Sequence, residues 1–496
     1  MTKSNKDDNR IKNEVVDLRS AMKVLDETPG QLLTTDELVD PNLELAGVYK
    51  QIGGGATLPP PARTGPAMLF ENIKGYDDVR MIAGVMAQRE RIAHIFGSSL
   101  EGLPRVLMSA VKNPVNAVLT QEKAVPCQEV VYKAPLDIRK LLPGIKTTEI
   151  DAGPYFLLGL LRAEDPETGE ADVTVHRICV QGPDIMTASF VFFRHIEQFR
   201  RKAERMGKPL PLSINMGLDP AIYVAACFEP PTTPLGFDEL SIVGALRGRP
   251  VELTSCLTVN AKAIANAEIV IEGELLPNER MAEDSTTNSG FAIPEFTGYM
   301  GPAHKALPII KVKAITHRKN PILQTIVGPG EEHANLAGIA TEASILHLLE
   351  QSMPGKVKNV YQHPSGGGKL MAIIQFEKTS LSDEGRQRQA ALTALTAYQE
   401  LKQVIVVDED VNIFDSNDVL WAMNTRYQGD ISTVFIPGVR CHKDDPSQSP
   451  GFNPMLQDSG ITCKTIFDCT VPFHTKKRFE RPPFIDVDIG RFLKKE

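Results

Sequence analysis

ADVTVHR, residues 171–177, alternates polar and β-branched side chains in the manner of a β-strand, yet it carries an arginine at a parity that alternation reserves for apolar residues. Side chains on a strand point to opposite faces in turn, so Val173, Val175 and Arg177 share one side while Asp172, Thr174 and His176 share the other. A guanidinium that continues an apolar face must snorkel to an edge or meet an anion, because burying it unpaired costs several kcal/mol. The anion is either a structural carboxylate or part of a ligand. The answer decides whether this strand belongs to a scaffold or to a site.

Working outward, similar short runs dominate from about residue 129 to 325: FLLGLLRA, PLSINMGL, VELTSCLTV, AEIVIEGEL, IIKVKAITH and ILQTIVG. Their spacing predicts a barrel or sandwich of mostly antiparallel strands with helical interruptions. One interruption is FRHIEQFRRKAERMG, an amphipathic helix ended by Gly207. Upstream, a helix is expected over Glu14–Leu25, a loop over GGGATLPPPARTGP (residues 53–66), and a short strand followed by two helices from about Arg80 to Pro114. After about residue 334 helices and strands alternate, through TEASILHLLEQS, KLMAIIQFEK, GRQRQAALTALTAYQELK, VIVVDED and NDVLWAMNTR, which indicates an α/β layer with parallel pairings. The last forty residues, rich in Pro, Lys and Phe, read as an irregular tail. The expected class is α+β: a β-rich, split-barrel-like first part and a smaller α/β second part, with divisions at 1–110, 111–330, 331–455 and 456–496.

Composition narrows the function. A chain of 496 residues with a formal net charge of -8 and no long Lys/Arg run argues against nucleic-acid or anionic-membrane binding. Its seven cysteines are scattered without a C-x-x-C pair, so neither a disulfide framework nor a zinc knuckle is suggested and a reducing cytoplasm fits. The polar N-terminus has no apolar stretch behind it, and no run of about 18 apolar residues occurs, so a soluble, unprocessed protein is expected.

Local motifs are sparse. PSGGGKL (Pro364–Leu370) lacks the spacing of a phosphate loop and reads as a hairpin turn, and VVDED (Val406–Asp410) reads as a solvated strand end. The loop AEDSTTNSGFAIPEFTGYMG (Ala282–Gly301) carries Glu283, Asp284 and Glu295, and is either a solvated surface loop or a place where a general acid meets substrate. His176 and His195 show no metalloprotease spacing, and no G-x-S-x-G elbow occurs. Any site is assembled from distant segments.

Six segments in order, DVTVHR (172–177), FRHI (193–196), FDELSIVGAL (237–246), AEIVIEGEL (267–275), PEFTGYMG (294–301) and VLWAMNTR (419–426), resemble the UbiD family of non-oxidative decarboxylases over about residues 15 to 485. DAGPYF, INMGLDPAI, FEPPTTP, GPGEEH and KTIFDCTVPF resemble its branch acting on gallate and protocatechuate (3,4-dihydroxybenzoate). The resemblance implies a flavin-binding first part, an oligomerising second part, and prenylated FMN as cofactor. It implies that Asp172, His195 and Glu239 bind a divalent ion, Mn²⁺ or Mg²⁺ by their oxygen and nitrogen donors, that bridges to the cofactor phosphate. Asp172 departs from the Asn of many members and adds negative charge there. A K⁺ ion is implied at backbone carbonyls of Ala225–Phe228. Arg177 would lie against flavin and substrate carboxylate, Glu295 would move the proton, Glu283 or in reserve Asp284 would be its partner acid, and His333 would meet substrate phenols. Asp172 and Arg177, five residues apart, can serve one cofactor only if the strand twists, bulges or ends between them.

The implied function is reversible decarboxylation of a hydroxylated benzoate to a phenol and carbon dioxide. The alternatives are another aromatic or acrylic acid, such as 4-hydroxybenzoate or vanillate, or a non-catalytic subunit of a carboxylase assembly. The implied partners are a flavin prenyltransferase as cofactor supplier and further copies of the chain, in a homodimer or larger homo-oligomer.

Overall fold

The computed structural model describes residues 14–52, 65–122, 124–190, 194–448 and 460–493. The expected loop at residues 53–66 falls almost wholly outside them. The helix Leu18–Asp26 starts later than its apolar periodicity suggests because Asp17 caps it, its side chain accepting from the Ser20 N–H. Strands β1 (Leu32–Val39), β2 (Ala67–Ile73) and β3 (Arg80–Ala83) form a small mixed sheet, completed from far along the chain by Ile322–Thr325.

The β-rich part closes on itself. Its strands are β4 (Val130–Lys133), β5 (Tyr155–Glu164), β6 (Ala171–Val180), β7 (Ile185–Ala188), β8 (Leu210–Met216), β9 (Ile269–Met281) and β10 (Leu307–His317). Antiparallel pairing runs β9-β8-β5-β6-β7-β10 and returns from β10 to β9, a six-stranded barrel with β4 added on β10. Of the two architectures that the sequence admits it is the closed barrel that forms. β5 is buried on both faces through Ala163, one face filling the barrel and the other covered by the helix His195–Arg205.

A 22-residue helix, Glu331–Ser352, leads to the second sheet. Its strands are β11 (Val357–Gln362), β12 (Met371–Phe376), β13 (Gln403–Asp408), β14 (Thr433–Arg440) and β15 (Ile461–Cys469), in the order β11-β12-β13-β15-β14. The inner pairings are parallel and the outer two antiparallel, so the layer is mixed rather than uniformly parallel. The helices Glu331–Ser352 and Arg386–Ala397 cover one face and Ser416–Arg426 the other.

The reading of residues 456–496 as irregular tail is corrected by β15. Its side chains alternate between half-buried or exposed and fully buried, and it fills the slot between β13 and β14. Thr462, Lys464 and Asp468 put polar side chains on its buried face, and with the Pro- and Lys-rich segment that follows they mask the strand in the sequence. A buried ion pair, Arg89 to Glu342, ties the N-terminal layer to the long helix, and Glu342 also accepts from the Gln362 N–H of β11 at 2.8 Å. All seven cysteines are free, and no helix among the described residues is long and apolar enough to cross a membrane.

Candidate active site

Two recesses flank β6. Along residues 171–177 the strand pairs only with β5, because β7 joins at Ile178. Opposite Arg177 the β5 register slips, Phe156 pairing Ile178 while Gly159 pairs His176, so an extra residue bulges there. Asp172 and Arg177 line different recesses, which divide along the strand rather than by face, since Val173 lines the smaller and His176 the larger. The extra residue lies in β5 opposite Arg177, not in β6 between Asp172 and Arg177.

The smaller recess gathers Asp172, His195, the first residue of its helix, and Glu239, which precedes the helix Leu240–Arg247. All three are buried, and one ligand atom from each lies within 4.8 Å of the others. His195 Nδ1 is 3.1 Å from Asp172 Oδ1, and Asp172 Oδ2 accepts from the Thr174 hydroxyl at 3.0 Å. Glu239 Oε2 is buried with no hydrogen-bond partner, and burial, then the neighbouring Asp172, pushes the Glu239 carboxyl well above its usual range. Two close carboxylates and an imidazole with an orphaned oxygen fit a hard divalent cation. Ala226 and Phe228 line the same recess.

The larger recess is a cavity of about 280 Å³ with apolar walls from Leu157, Val175, Ile293 and Leu336. Arg177 enters it with its side chain 17 % exposed, bonded to Glu283 on one side and to Glu295 on the other. Burial pulls its guanidinium down, but the two carboxylates outweigh burial and hold it charged. These acids are not equivalent. Glu283 Oε1 accepts from Arg177 Nε at 3.0 Å and the Tyr155 hydroxyl at 3.2 Å, while Oε2 accepts from Arg177 at 3.3 Å and the His304 N–H at 3.1 Å. Glu295 has Arg177 as its hydrogen-bonded side-chain partner, and burial raises its carboxyl above the ordinary range against the pull of Arg177. Gly301 makes room for it, since a Cβ there would lie 2.6 Å from Glu295 Cγ. Asp284 turns away from the cavity and organises its loop. It accepts the N–H groups of Thr287, Asn288 and Gly290, each at 3.0 Å, and although burial raises its carboxyl these donors hold it at about 2.

The second sheet supplies the far wall. Lys369, Glu400 and His442 line the cavity with His333. Lys369 Nζ is 3.3 Å from Glu400 and 3.2 Å from His442 Nε2, and Arg194, beside the smaller recess, pairs with Glu229. Burial, with Lys369 nearby, lowers His333 to about 3 and His442 to about 4, so both imidazoles are neutral at pH 7. Lys369, Glu400, His442 and His304 carried no signal in local spacing. PSGGGKL is a turn, as its sequence suggests, but a packed one: Gly367 has φ +63°, and a Cβ there would lie 2.3 Å from the Phe296 ring, next to Glu295.

The residues match three family models: the 3-octaprenyl-4-hydroxybenzoate carboxy-lyase N-terminal domain over 25–111, the Rift-related domain over 118–331 and the C-terminal domain over 334–469. The chain belongs to the UbiD family. Its C-terminal match includes β15, in keeping with that strand's place in the sheet. Among UbiD relatives, the gallate decarboxylase of Lactiplantibacillus plantarum is 47 % identical over 488 residues, 96 % of this chain and 99 % of the relative. The apo 3,4-dihydroxybenzoic acid decarboxylase of Enterobacter cloacae superposes with a TM-score of 0.92 at 56 % identity, over 97 % of this chain and 99 % of that one. The UbiD-class enzyme HmfF of Pelotomaculum thermopropionicum, solved in complex with FMN, gives 0.84 at 35 % identity, over 96 % and 98 %.

Proposed function

We propose that the protein catalyses the non-oxidative, reversible decarboxylation of a hydroxylated benzoate, gallate or 3,4-dihydroxybenzoate, to the corresponding phenol and carbon dioxide. The observation that carries this reading is the unequal pair of acids around Arg177: Glu283 is saturated by four donors, and Glu295 is under-bonded and raised in a cavity with neutral histidines. Likeness over nearly the whole chain to a gallate decarboxylase and a 3,4-dihydroxybenzoic acid decarboxylase supports the substrate class.

Losing carbon dioxide from an aryl carboxylate leaves an electron pair that the ring σ-framework cannot spread, and prenylated FMN, when bound, supplies the electron sink. The chain's own residues do the rest. Arg177 binds and orients the substrate carboxylate through a charge-assisted hydrogen bond, with Glu283 fixing its other side. Glu295, whose carboxyl burial raises against the pull of Arg177, delivers a proton in its acid form to the ring carbon that loses carbon dioxide, and in the reverse direction takes it back. His333 and His442, both neutral, can accept hydrogen bonds from ring hydroxyls without adding charge.

Asp172, His195 and Glu239 would hold Mn²⁺ or Mg²⁺ against the cofactor phosphate, with Lys369 and Arg194 as further cations, and the carbonyls of 225–228 would take K⁺. A flavin prenyltransferase is the expected cofactor supplier, and a homodimer or larger homo-oligomer the expected assembly.

The test is to purify the protein from cells that also express a flavin prenyltransferase and to measure carbon dioxide release from gallate, 3,4-dihydroxybenzoate, 4-hydroxybenzoate, vanillate and an acrylic acid. Turnover of the first two above the rest is expected. A flavin-loaded protein that decarboxylates none of the benzoates defeats the proposal.

A further inference from the structure

Tyr155 opens β5, and its ring is 1 % exposed. Its register partner on β6 is Cys179, which shares a face with Arg177, so the tyrosine ring is delivered to the side of the strand that carries the guanidinium. Its backbone is pinned by reciprocal bonds with Ile145, at 2.8 and 3.0 Å. The hydroxyl therefore approaches Glu283 Oε1 from a fixed direction, at 3.2 Å. The other oxygen of that carboxylate is held by the His304 N–H, and the Glu283 carbonyl accepts from Gln181 Nε2 at 2.7 Å. Among the described residues only Tyr155 joins Arg177 on Oε1, so together with the His304 N–H on Oε2 it sets the tilt of the carboxylate that grips Arg177 Nε.

We propose that Tyr155 is a positioning residue: its hydroxyl orients the Glu283 carboxylate, which in turn aims Arg177 at the carboxylate of the substrate. The inference rests on the reading of Arg177 as carboxylate binder. A buried tyrosine with a merely satisfied hydroxyl would affect acids and phenols alike. A positioning tyrosine affects only ligands that carry the group Arg177 reads.

Tyr155→Phe keeps the ring and removes the hydroxyl. In the flavin-loaded enzyme, affinity for 3,4-dihydroxybenzoate should fall about five- to tenfold, the effect of one ordinary hydrogen bond passed on through Glu283, while affinity for catechol and the flavin content stay unchanged. Equal losses for acid and phenol, or no loss for either, overturn the proposal. In a Glu283→Gln background the same change should add nothing further, and additive losses overturn it as well. A crystal structure of the Tyr155→Phe holoenzyme judges the inference even if wild type binds neither ligand, an outcome that defeats the functional reading instead. A rotated or disordered Arg177 guanidinium supports the proposal, and an unmoved one refutes it.

Discussion

Replacing Glu295 by glutamine separates binding from chemistry at this site. Two of the three guanidinium nitrogens of Arg177 stay on Glu283, and the glutamine oxygen still accepts from the third. Substrate affinity should therefore change little, since the glutamine amide stands in for the neutral, protonated carboxyl as an acceptor from Arg177. Flavin content should not move, because Asp172, His195 and Glu239, the residues proposed to hold the metal, lie in the other recess. The proton supply vanishes altogether. Loss of a positioned general acid costs on the order of 10²–10⁴ in rate, about 3–5 kcal/mol of barrier, so kcat should collapse while KM barely shifts. The assay is steady-state carbon dioxide release at matched flavin occupancy, with solvent-deuterium exchange into the phenol as a separate readout of proton delivery. Because burial raises the Glu295 carboxyl and decarboxylation uses its protonated form, the wild-type rate should fall as pH rises through that raised pKa. The Gln variant should lack this limb. A Glu295→Gln enzyme with kcat within about tenfold of wild type would refute the assignment.

Three further outcomes are expected. His195→Ala should lose bound manganese and flavin together, read by elemental analysis and visible absorbance, and unchanged flavin content would remove His195 from the cofactor site. Asp284, held at about 2, contributes stability that is present above its unfolded value near 4 and is lost as pH falls toward about 2. Asp284→Asn should accordingly lower Tm at pH 7 but not at about pH 2, and an equal drop at both would rule out a charge effect. Arg89→Met strands the buried Glu342 carboxylate and should destabilise by about 3–5 kcal/mol, most of it recovered on adding Glu342→Leu, whereas additive losses in denaturant unfolding would argue against a coupled pair.

Much of this architecture is legible in the sequence, and what is not has identifiable causes. The barrel strands announce themselves by β-branched alternation, and the helix at His195 by its amphipathic face. Barrel closure does not, because pairing β9 with β10 is a choice among partners that period-two patterning leaves open. Residues 172, 195 and 239 show no ligand spacing, and only a resemblance spanning the whole chain relates them. Lys369 is hidden in a glycine turn whose local pattern is that of any hairpin, since its importance comes from packing on Phe296. Glu283 and Asp284 are adjacent acids that composition cannot tell apart. The fold separates them by aiming one at Arg177 and wrapping the other in three backbone N–H groups.

The slot between β13 and β14 is filled by residues 461–469, more than a hundred residues after β11 opens the sheet at Val357. A ribosome threads those earlier strands out well before their central neighbour emerges, and a growing chain folds from its leading end. The barrel with Arg177 and Glu295 can therefore form while the wall bearing Lys369 and His442 still lacks one interior strand.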